Sequence, residues 1–403
     1  MAQTTPASAV ARLADRLTPV GSETVAWSAA VGRVLAEPLI ADRDSPPIDV
    51  SAMDGYAVRL ADLAAGGAST LPVAGEARIG CAPPDMPSGC AFLIVTGAPV
   101  PAGADAVIRR EDVDEQRDRV TIPAGMTPSA GQYIRRGGEN LRRHKVVLPA
   151  GVIVTPSVAG AMAAFGLREP RVRRRVCVSV IVTGDELLAP DADKDPEPWQ
   201  LRDGNGPALL AMMSGVPWLE PRLALRVPDH PDRIVTALGE QLHDCDAVLL
   251  TGGVSMGDCD YVPAAVTRVG AEILFHRLPM RPGRPMLGAV GPNGQAILGL
   301  PGNPVSVLVT ARRLGSVVLR RLAGLALADS PPSVVLVRNP DLLPAAEWRF
   351  RLARLCGPGA AELVPTMGSG DFVSAARSDG FVEVPPGATG PGPWPFFAWS
   401  LQA

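Results

Sequence analysis

The chain lacks a pronounced excess of charge of either sign. Its 403 residues carry 38 lysines and arginines against 41 aspartates and glutamates, which gives a formal net charge of −3 at pH 7. A balance of this kind creates no global field that would draw the protein to a nucleic acid or to an anionic membrane. We therefore expect no nucleic-acid partner and no membrane partner, and a basic site has to be local.

Cysteine and histidine are scarce and form no recognisable framework. The six cysteines show no CxxC pair and no zinc-ligand spacing, and the four histidines show no paired ligand spacing. A chain of this length does not need disulfides to stabilise its cores. Together with a polar N-terminal stretch that has no apolar signal core, this composition predicts a reduced, cytoplasmic setting.

The sequence also lacks an unbroken apolar span. Residues 146–167 are uncharged for long enough to imitate a membrane helix, but Pro149, Gly151, Pro156 and Gly160 divide them. We predict a short strand and a small-residue helix here. Glycine and proline, 42 of each, stay below the level of a low-complexity chain.

The pattern that is present predicts several domains, because 403 residues with 47% apolar content can form more than one core. Helical spacing appears at 10–17 and 22–35, and short β-like runs follow from about 51 to 140. From residue 176 strands alternate with helices, which is typical of a doubly wound α/β domain. Beyond residue 331 the sequence returns to strands and turns, as in a small β domain.

The most informative segment is an apolar run at 247–251 that ends in paired glycines. Such a run predicts a buried parallel strand, and α/β folds bind ligands at the carboxyl ends of these strands. Gly252 and Gly253 expose backbone N–H groups to an anion, and Ser255 adds a hydroxyl. Asp258 and Asp260 can hold a hard cation such as Mg²⁺ against that anion. The structural alternative makes Asp260 the N-cap of a helix at 261–269.

A second strand end carries acids, because Asp185 and Glu186 follow a predicted strand at 176–183. The carboxyl ends of parallel strands meet at one edge, so these acids can converge with the glycine loop. Convergent acids beside a phosphate loop indicate metal-assisted phosphoryl chemistry. Helix capping is the alternative for Asp185, and we predict capping roles for Asp229 and for Asp203 or Asn205.

Three further loops look functional by residue type. Arg281 and Arg284 lie in a stiff Pro-Gly loop, and guanidinium forks match oxyanions, although such arginines are often solvated. The turn formed by Pro301, Gly302, Asn303 and Pro304 opens a helix whose N–H groups favour an anion. The loop at 46–59 contains Asp54, and taken alone it is mostly turn chemistry.

Together these segments resemble the molybdopterin molybdenumtransferases, the MoeA-type enzymes related to the gephyrin E domain, and the resemblance runs nearly end to end. It is carried by SAMDGYAV at 51–58, TGAPVPAGADAV at 96–107, TGDEL at 183–187, RDGNGP at 202–207, the loop at 252–261, LPGNP at 300–304 and GSGD at 368–371. Each motif is weak, but seven in the family's order are specific.

The resemblance implies a multidomain α/β and β fold in an elongated homodimer. A helical connecting domain would comprise 1–50 plus 141–174, with an inserted all-β domain at 51–140. A doubly wound, MogA-like α/β domain that binds the nucleotide and molybdopterin would cover 175–327, and a small C-terminal β-barrel domain 328–403.

The resemblance also implies a reaction. Family members take adenylylated molybdopterin and molybdate, cleave the pyrophosphate with Mg²⁺, release AMP and leave molybdenum on the pterin dithiolate. The molybdopterin adenylyltransferase of the preceding step is a candidate partner.

Residue by residue, the resemblance makes Asp54, on the partner subunit's β domain, a catalytic carboxylate together with Glu186 and Asp258, and Asp258 and Asp260 the metal ligands. The expected substrate-binding residues are Thr96, Asp185, Gly252, Gly253, Ser255, Arg281, Arg284, Pro301, Gly302, Asn303, Pro304 and Ser369.

Two departures from the family pattern stand out. Asn140 follows Gly138 and Glu139 where the family usually has an aspartate, and Arg281 and Arg284 replace usual lysines. Two other functions stay open. Asn140 favours a catalytically weak paralogue that binds the cofactor or acts as a scaffold, and the likeness of the α/β domain to that of the adenylyltransferases leaves open an adenylyltransferase acting one step earlier. Molybdate and tungstate are not distinguished by the sequence.

Overall fold

A computed structural model describes residues 5–193, 195–255, 257, 260–326 and 332–401. The chain divides into two compact units, one formed by Met1–Glu37, Ala150–Gly160 and Arg168–Ala403, the other by Pro38–Pro149 and Ala161–Leu167. In the part of the chain that is described, no helix has the length and apolar character needed to cross a membrane. The four-domain boundaries expected from the sequence stay a prediction.

The first unit begins with helix α1 (Pro6–Asp15), which Thr5 and Ser8 close with a reciprocal capping box. Its buried face includes Ala9, Val10 and Leu13. The helix predicted at 22–35 is wrong: the segment contains strand β1 (Ser22–Thr24) and a 3₁₀ turn (Trp27–Ala30). Gly32 is left-handed there, with φ +77°, and a side chain at Gly32 would strike Pro217. Val34 and Leu35 bury themselves through single bridges to Ile153 and Val172 instead.

The second unit is built around a six-stranded sheet. This unit contains the strands β2 (Leu39–Ile40), β3 (Val50–Ser51), β4 (Gly55–Val58), β5 (Ser69–Ala77), β6 (Ala91–Ile94), β7 (Ala106–Arg109), β8 (Asp114–Glu115), β9 (Arg119–Ile122), β10 (Ile134–Arg135) and β11 (Val146–Leu148), with 3₁₀ turns at Leu60–Asp62 and Arg110–Asp112. The sheet order is β7-β4-β6-β5-β9-β8, and β3–β10 and β2–β11 form separate pairs. The β-rich pattern predicted from about 51 to 140 is confirmed.

The uncharged run at 146–167 forms β11 and then the short helix α2 (Pro156–Ala164), as predicted. Strand β12 (Arg171–Arg173) follows and pairs antiparallel with β1. The breaks fall at the prolines and glycines, because proline cannot continue a helix or a strand ladder.

The next segment is a doubly wound α/β domain. Its elements are β13 (Val176–Thr183), β14 (Leu187–Leu188), β15 (Leu201–Arg202), α3 (Asn205–Met213), β16 (Leu219–Val227), α4 (Pro231–Asp244), β17 (Ala247–Thr251), α5 (Val262–Arg268), β18 (Glu272–His276), β19 (Met280–Arg281), β20 (Leu287–Val290) and β21 (Ala296–Leu300). The main sheet has the order β16-β13-β17-β21-β20-β18. Strands β13 and β17 are buried throughout, as the uncharged runs predict.

The topology of this sheet decides which loops share an edge. Strands β16, β13, β17 and β21 are parallel, so their carboxyl ends lie together. Strand β20 runs antiparallel to β21 and to β18, so the connection from β18 to β20 also lies at that edge. The loops that follow β16, β13, β17 and β21, and the arginine loop, therefore line one side of the sheet in that order.

The chain then forms a long helix and a closed barrel. Helix α6 (Pro304–Thr310) continues through a π-helical stretch (Ala311–Gly315) into α7 (Ser316–Leu322). The barrel consists of β22 (Ser333–Val337), β23 (Trp348–Gly357), β24 (Ala360–Leu363), β25 (Gly380–Val384) and β26 (Trp394–Ala398), with helix α8 (Phe372–Ala376) before β25. The ring closes because β23 pairs with both β24 and β25. The predicted fold class is confirmed.

Candidate active site

A large cavity opens where the carboxyl edge of the α/β sheet faces the barrel. Its volume is about 1660 Å³, which exceeds the roughly 300–1,000 Å³ of a typical small-molecule pocket. The sheet contributes the loops after β13, β16, β17 and β21, and the barrel contributes Arg349, Arg351 and Ser369. A ligand with several chemically distinct parts fits such a space.

The glycine loop after β17 forms part of the wall. Gly252 has φ +94°, and a Cβ there would lie 2.5 Å from the carbonyl oxygen of Thr183. Gly253 is also left-handed, with φ +59°. The two positions require glycine because the loop doubles back against β13. Ser255, beyond them, is exposed and lines the cavity.

Two polar side chains that were not among the predicted site residues hold this loop to the next one. Asn205 Nδ2 donates to Thr251 Oγ1 at 3.0 Å and to the carbonyl oxygen of Gly302 at 2.7 Å. Thr251 Oγ1 in turn donates to the carbonyl oxygen of Pro301 at 3.1 Å. Asn205 therefore fixes the distance between the glycine loop and the turn at 301–304. It belongs to the RDGNGP motif, which was the available signal.

Asp203 behaves partly as predicted. Its Oδ1 accepts from the N–H of Gly206 at 2.9 Å, in the first turn of α3. Asn205, the other candidate, is the first residue of α3, and the capping position is Gly204.

The acids follow strands β16 and β13, which are neighbours at one end of the parallel set. Glu186, after β13, and Asp229, after β16, both line the cavity, and Asp260 lies with them beyond the glycine loop. The prediction that Asp229 caps helix α4 is wrong, since the N-cap is His230 and makes no side-chain capping bond. Asp229 Oδ1 is instead buried, with no hydrogen-bond partner among the described residues.

Burial raises the pKa of Asp229 above its usual range, against the opposing influence of the Thr183 hydroxyl and the Asp185 backbone, and the negative charges of Asp185 and Asp260 add to the rise. The helix-capping roles that the sequence offered as alternatives for Asp185 and Asp260 are wrong as well. Asp185 Oδ1 accepts from the N–H of Asp229 at 3.1 Å and starts no helix, and it is not a cavity-lining residue. Asp260 Oδ2 accepts from Gly257 N–H at 2.5 Å, while α5 is capped at Tyr261 without a side-chain bond.

The donor set at this end fits a hard cation. Carboxylate oxygens are the ligands that Mg²⁺ prefers, and the orphaned, buried Oδ1 of Asp229 is a group that a cation would satisfy. Within the described ranges, no three His, Cys, Asp or Glu side chains come close enough to form a metal site by themselves. Asp258, the other predicted metal ligand and a predicted catalytic residue, lies outside the described residues.

The arginine loop between β18 and β20 lies at the other end of the edge. Arg281 and Arg284 both line the cavity, and their role in substrate binding stays a prediction. Arg281 Nε contacts Glu347 Oε1 at 2.7 Å, and Arg284 Nη2 contacts Glu347 Oε2 at 2.5 Å. Glu347 directly precedes β23 of the barrel, more than sixty positions away in the sequence, and no motif identified it.

The turn at 301–304 lies between the two ends. Pro301, Gly302, Asn303 and Pro304 all line the cavity. Asn303 Nδ2 donates to Ser369 Oγ at 2.8 Å, and the Val305 N–H donates to the carbonyl oxygen of Ser369 at 2.9 Å. Ser369 is thus joined to the start of α6. The barrel loop that carries it is ordered by Asp371, whose pKa falls to about 2 because Ser374 donates hydrogen bonds to the carboxylate.

Asp54 and Thr96 belong to the second unit. The Thr96 N–H and Oγ1–H both donate to Asp54 Oδ1, at 2.7 and 2.8 Å. These bonds lower the pKa of Asp54, and the nearby charge of Arg110 adds to the effect. The sequence places the two residues 42 positions apart, and the structure brings them together as one exposed, ionised group.

Asn140 also lies in the second unit. Its Oδ1 accepts from Arg135 Nη2 at 2.8 Å, and its Nδ2 donates to Ser45 Oγ at 3.3 Å. Arg135 also pairs with Glu139 at 2.6 Å. The amide therefore occupies a position where a carboxylate would meet the same guanidinium.

The comparisons with known proteins cover most of the chain. A model described as the MoeA N-terminal region (domain I and II) matches residues 4–166, and one described as a probable molybdopterin binding domain matches residues 179–321. The molybdopterin molybdenumtransferase of Synechococcus elongatus is 35% identical over 384 residues, covering 92% of each chain. The protein of the same name from Nostoc is 37% identical over 330 residues, covering 80% of this chain and 74% of that one.

A solved structure shares the fold. The molybdopterin biosynthesis moeA protein of Pyrococcus horikoshii OT3 superposes with a TM-score of 0.81 at 26% identity, covering 98% of this chain and 99% of that one. Sequence and structure therefore give the same set of relatives.

Proposed function

The chain belongs to the MoeA family of molybdopterin molybdenumtransferases, and we propose that it is the molybdenum insertase of molybdenum cofactor biosynthesis. It would bind adenylylated molybdopterin and molybdate, cleave the pyrophosphate linkage, release AMP and leave molybdenum on the pterin dithiolate. The enzyme would be a transferase that acts as a homodimer and needs Mg²⁺.

One observation supports this proposal above the others. A single cavity of about 1660 Å³ carries a glycine loop with acids at one end of a sheet edge and two guanidinium groups at the other. A nucleotide pyrophosphate and a metal oxyanion are both anionic, but they need different partners: a cation with backbone N–H groups for the first, and a basic clamp for the second. The cavity offers both sets.

The residues divide the work accordingly. Gly252, Gly253 and Ser255 would bind the phosphate part, with Asp185 holding the neighbouring loop. Asp260 and Asp258 would hold Mg²⁺, which when bound neutralises phosphate oxygens. Arg281 and Arg284, the turn at 301–304 and Ser369 would receive molybdate. Asp54, kept ionised by Thr96, and Glu186 are the proposed catalytic carboxylates.

The test is an AMP-release assay on the purified chain with adenylylated molybdopterin and Mg²⁺, run with and without molybdate. We expect AMP release that depends on molybdate, and a product with molybdenum on the pterin, detected by mass spectrometry. Tight binding of the adenylylated substrate without AMP release under both conditions would contradict an insertase. ATP consumption with free molybdopterin would indicate the adenylyltransferase of the preceding step instead.

A further inference from the structure

Arg281 and Arg284, the two arginines of the cavity's basic end, share one acidic partner, Glu347. The contacts are 2.7 Å to Arg281 Nε and 2.5 Å to Arg284 Nη2, one on each carboxylate oxygen. The Glu347 side chain is only 16% exposed, against 74% for Arg281 and 46% for Arg284. The carboxylate is thus the least solvated member of the group, and water screens its charge least.

The backbone fixes this arrangement. Strand β19 pairs in parallel with the start of β23, with Met280 opposite Trp348 and Arg281 opposite Arg349. The Trp348 N–H donates to the carbonyl oxygen of Pro279 at 3.0 Å. Glu347 precedes Trp348 directly, so the ladder that joins barrel and arginine loop also sets the carboxylate beside the guanidinium groups.

The arginine loop has little freedom to move away. Gly283 has φ +105°, and a Cβ there would lie 2.5 Å from Thr310 Cγ2 and 3.0 Å from Met280 Cε. The loop is therefore packed against helix α6. An anion that enters this end of the cavity meets the arginines with Glu347 still beside them.

The carboxylate of Glu347 and a bound anion compete for the same two guanidinium groups. Two guanidinium groups and one carboxylate leave a net charge of +1 at the clamp. Each guanidinium keeps further N–H donors, so an oxyanion can still be bound, but its charge then lies next to that of Glu347. The negative charges of the anion and of Glu347 repel each other, most strongly where solvent is excluded.

We propose that Glu347 limits the affinity of the oxyanion subsite: it is a built-in counter-ion that weakens the binding of every anion, and weakens that of a dianion more than that of a monoanion. The inference rests on the proposed function, which assigns the oxyanion to these arginines. The repulsion from Glu347 scales with the charge of the bound anion, as the attraction to the two guanidinium groups does, so a dianion loses about twice as much binding energy as a tetrahedral monoanion.

The test is equilibrium binding of inorganic anions to the full chain by calorimetry, without nucleotide. Molybdate and tungstate are the dianions, and perchlorate is the monoanion of the same shape. Glu347→Gln keeps the size and one accepting oxygen and removes the charge. We expect molybdate to bind about tenfold more tightly and perchlorate about threefold more tightly, so that the preference for molybdate over perchlorate rises about threefold.

The matched control is Glu362→Gln. Glu362 is a barrel carboxylate that pairs with Arg354 at 3.6 Å and is not a cavity-lining residue. This substitution removes one carboxylate charge from the same barrel, and we expect it to leave the affinities for molybdate and for perchlorate unchanged. Should Glu347→Gln fail to fold, Glu347→Asp keeps the charge but is too short to hold both arginines, and it should tighten molybdate binding to a smaller extent.

Weaker molybdate binding in Glu347→Gln would overturn the inference, since it would make Glu347 an aid that orients the arginines. Equal affinities in wild type and variant, or no molybdate binding in either, would overturn it as well. Failure of the proposed function gives a different signature: wild-type protein that binds molybdate, and binds it more tightly in Glu347→Gln, but releases no AMP from adenylylated molybdopterin.

Discussion

At the acidic end of the cavity, Glu186, Asp229 and Asp260 form no ion pair within the described part of the chain. At the basic end, Arg281 and Arg284 both contact one carboxylate, Glu347. One end therefore presents unbalanced negative charge, and the other has had part of its positive charge neutralised from within. In the proposed function, the first end would bind a cation from solution, and the second would bind an anion that competes with a residue of the protein.

The difference shows in the acids themselves. Burial and neighbouring charges raise the pKa of Asp229. Asp54, in the second unit, has the opposite environment, because hydrogen bonds from Thr96 lower its pKa. The two carboxylates thus differ in their surroundings: hydrogen bonds from Thr96 favour the charged form of Asp54, whereas burial disfavours the charged form of Asp229.

The largest effect is expected when a charge is removed from the acidic end of the cavity, and it should fall on AMP release alone. Asp260→Asn retains an oxygen for the N–H of Gly257 but loses the charge of a proposed metal ligand. We expect AMP release to fall roughly 100- to 1,000-fold, as when an electrostatic stabiliser is removed, with molybdate affinity unchanged in calorimetry. Asp244→Asn, at the exposed end of α4, is the control. A parallel loss of molybdate binding would mean that the two ends are not independent.

Removing the basic end should have the reverse signature. In the double variant Arg281→Ala, Arg284→Ala we expect the KM for molybdate to rise about 10- to 100-fold. AMP release at saturating molybdate should change far less, since the glycine loop and its acids are untouched. Steady-state kinetics with molybdate as the varied substrate measures both. A fall in kcat at unchanged KM would contradict the assignment.

A smaller effect is expected at Asp54. Thr96→Val removes the Oγ1–H donor but keeps the main-chain N–H, which has the largest influence on the pKa of Asp54. Asp54 then stays ionised at pH 7, and AMP release should fall only about twofold to fivefold. Asp54→Asn, measured in the same assay, should lose most of the activity. Equal losses in the two variants would show that the hydroxyl has a role of its own.

The smallest effect concerns stability. The folded-state pKa of Asp229 is raised, so the folded protein binds a proton more readily than the unfolded chain and loses stability as pH rises through that pKa. Asp229→Asn should therefore melt roughly 1–2 °C higher than wild type at pH 7, while its activity falls. The gain should vanish below the ordinary aspartate pKa of about 3.9. Thermal melts of Asp229→Asn and wild type at pH 7 and below the ordinary aspartate pKa test this. A lower melting temperature of the variant at pH 7 would contradict it.

Local patterns predicted much of the fold. The run at 247–251 is strand β17, and the paired glycines after it are left-handed where the loop turns back on Thr183. The helix predicted at 22–35 failed because apolar spacing does not report the left-handed Gly32 or the bridges that bury Val34 and Leu35. Apolar periodicity depends only on the residues of one segment, whereas these contacts come from residues that are far away in the sequence.

The candidate site shows the same limit. Its loops were identified because glycine, proline and acids cluster within a few residues. The partners of those loops were missed: Glu347 is 63 residues from Arg284, and Asn205 is 97 residues from Gly302. Asp229 was assigned to a helix cap because it precedes α4, but it caps no helix and lines the cavity at the sheet edge.

A crystal structure with AMP, Mg²⁺ and molybdate bound would test most directly the claim that one cavity holds the two anions at opposite ends. We predict the AMP phosphate on the loop of Gly252 and Gly253, and molybdate within hydrogen-bonding distance of Arg281 and Arg284, beside Glu347. Molybdate bound at the glycine loop, or AMP bound at the arginines, would contradict the account.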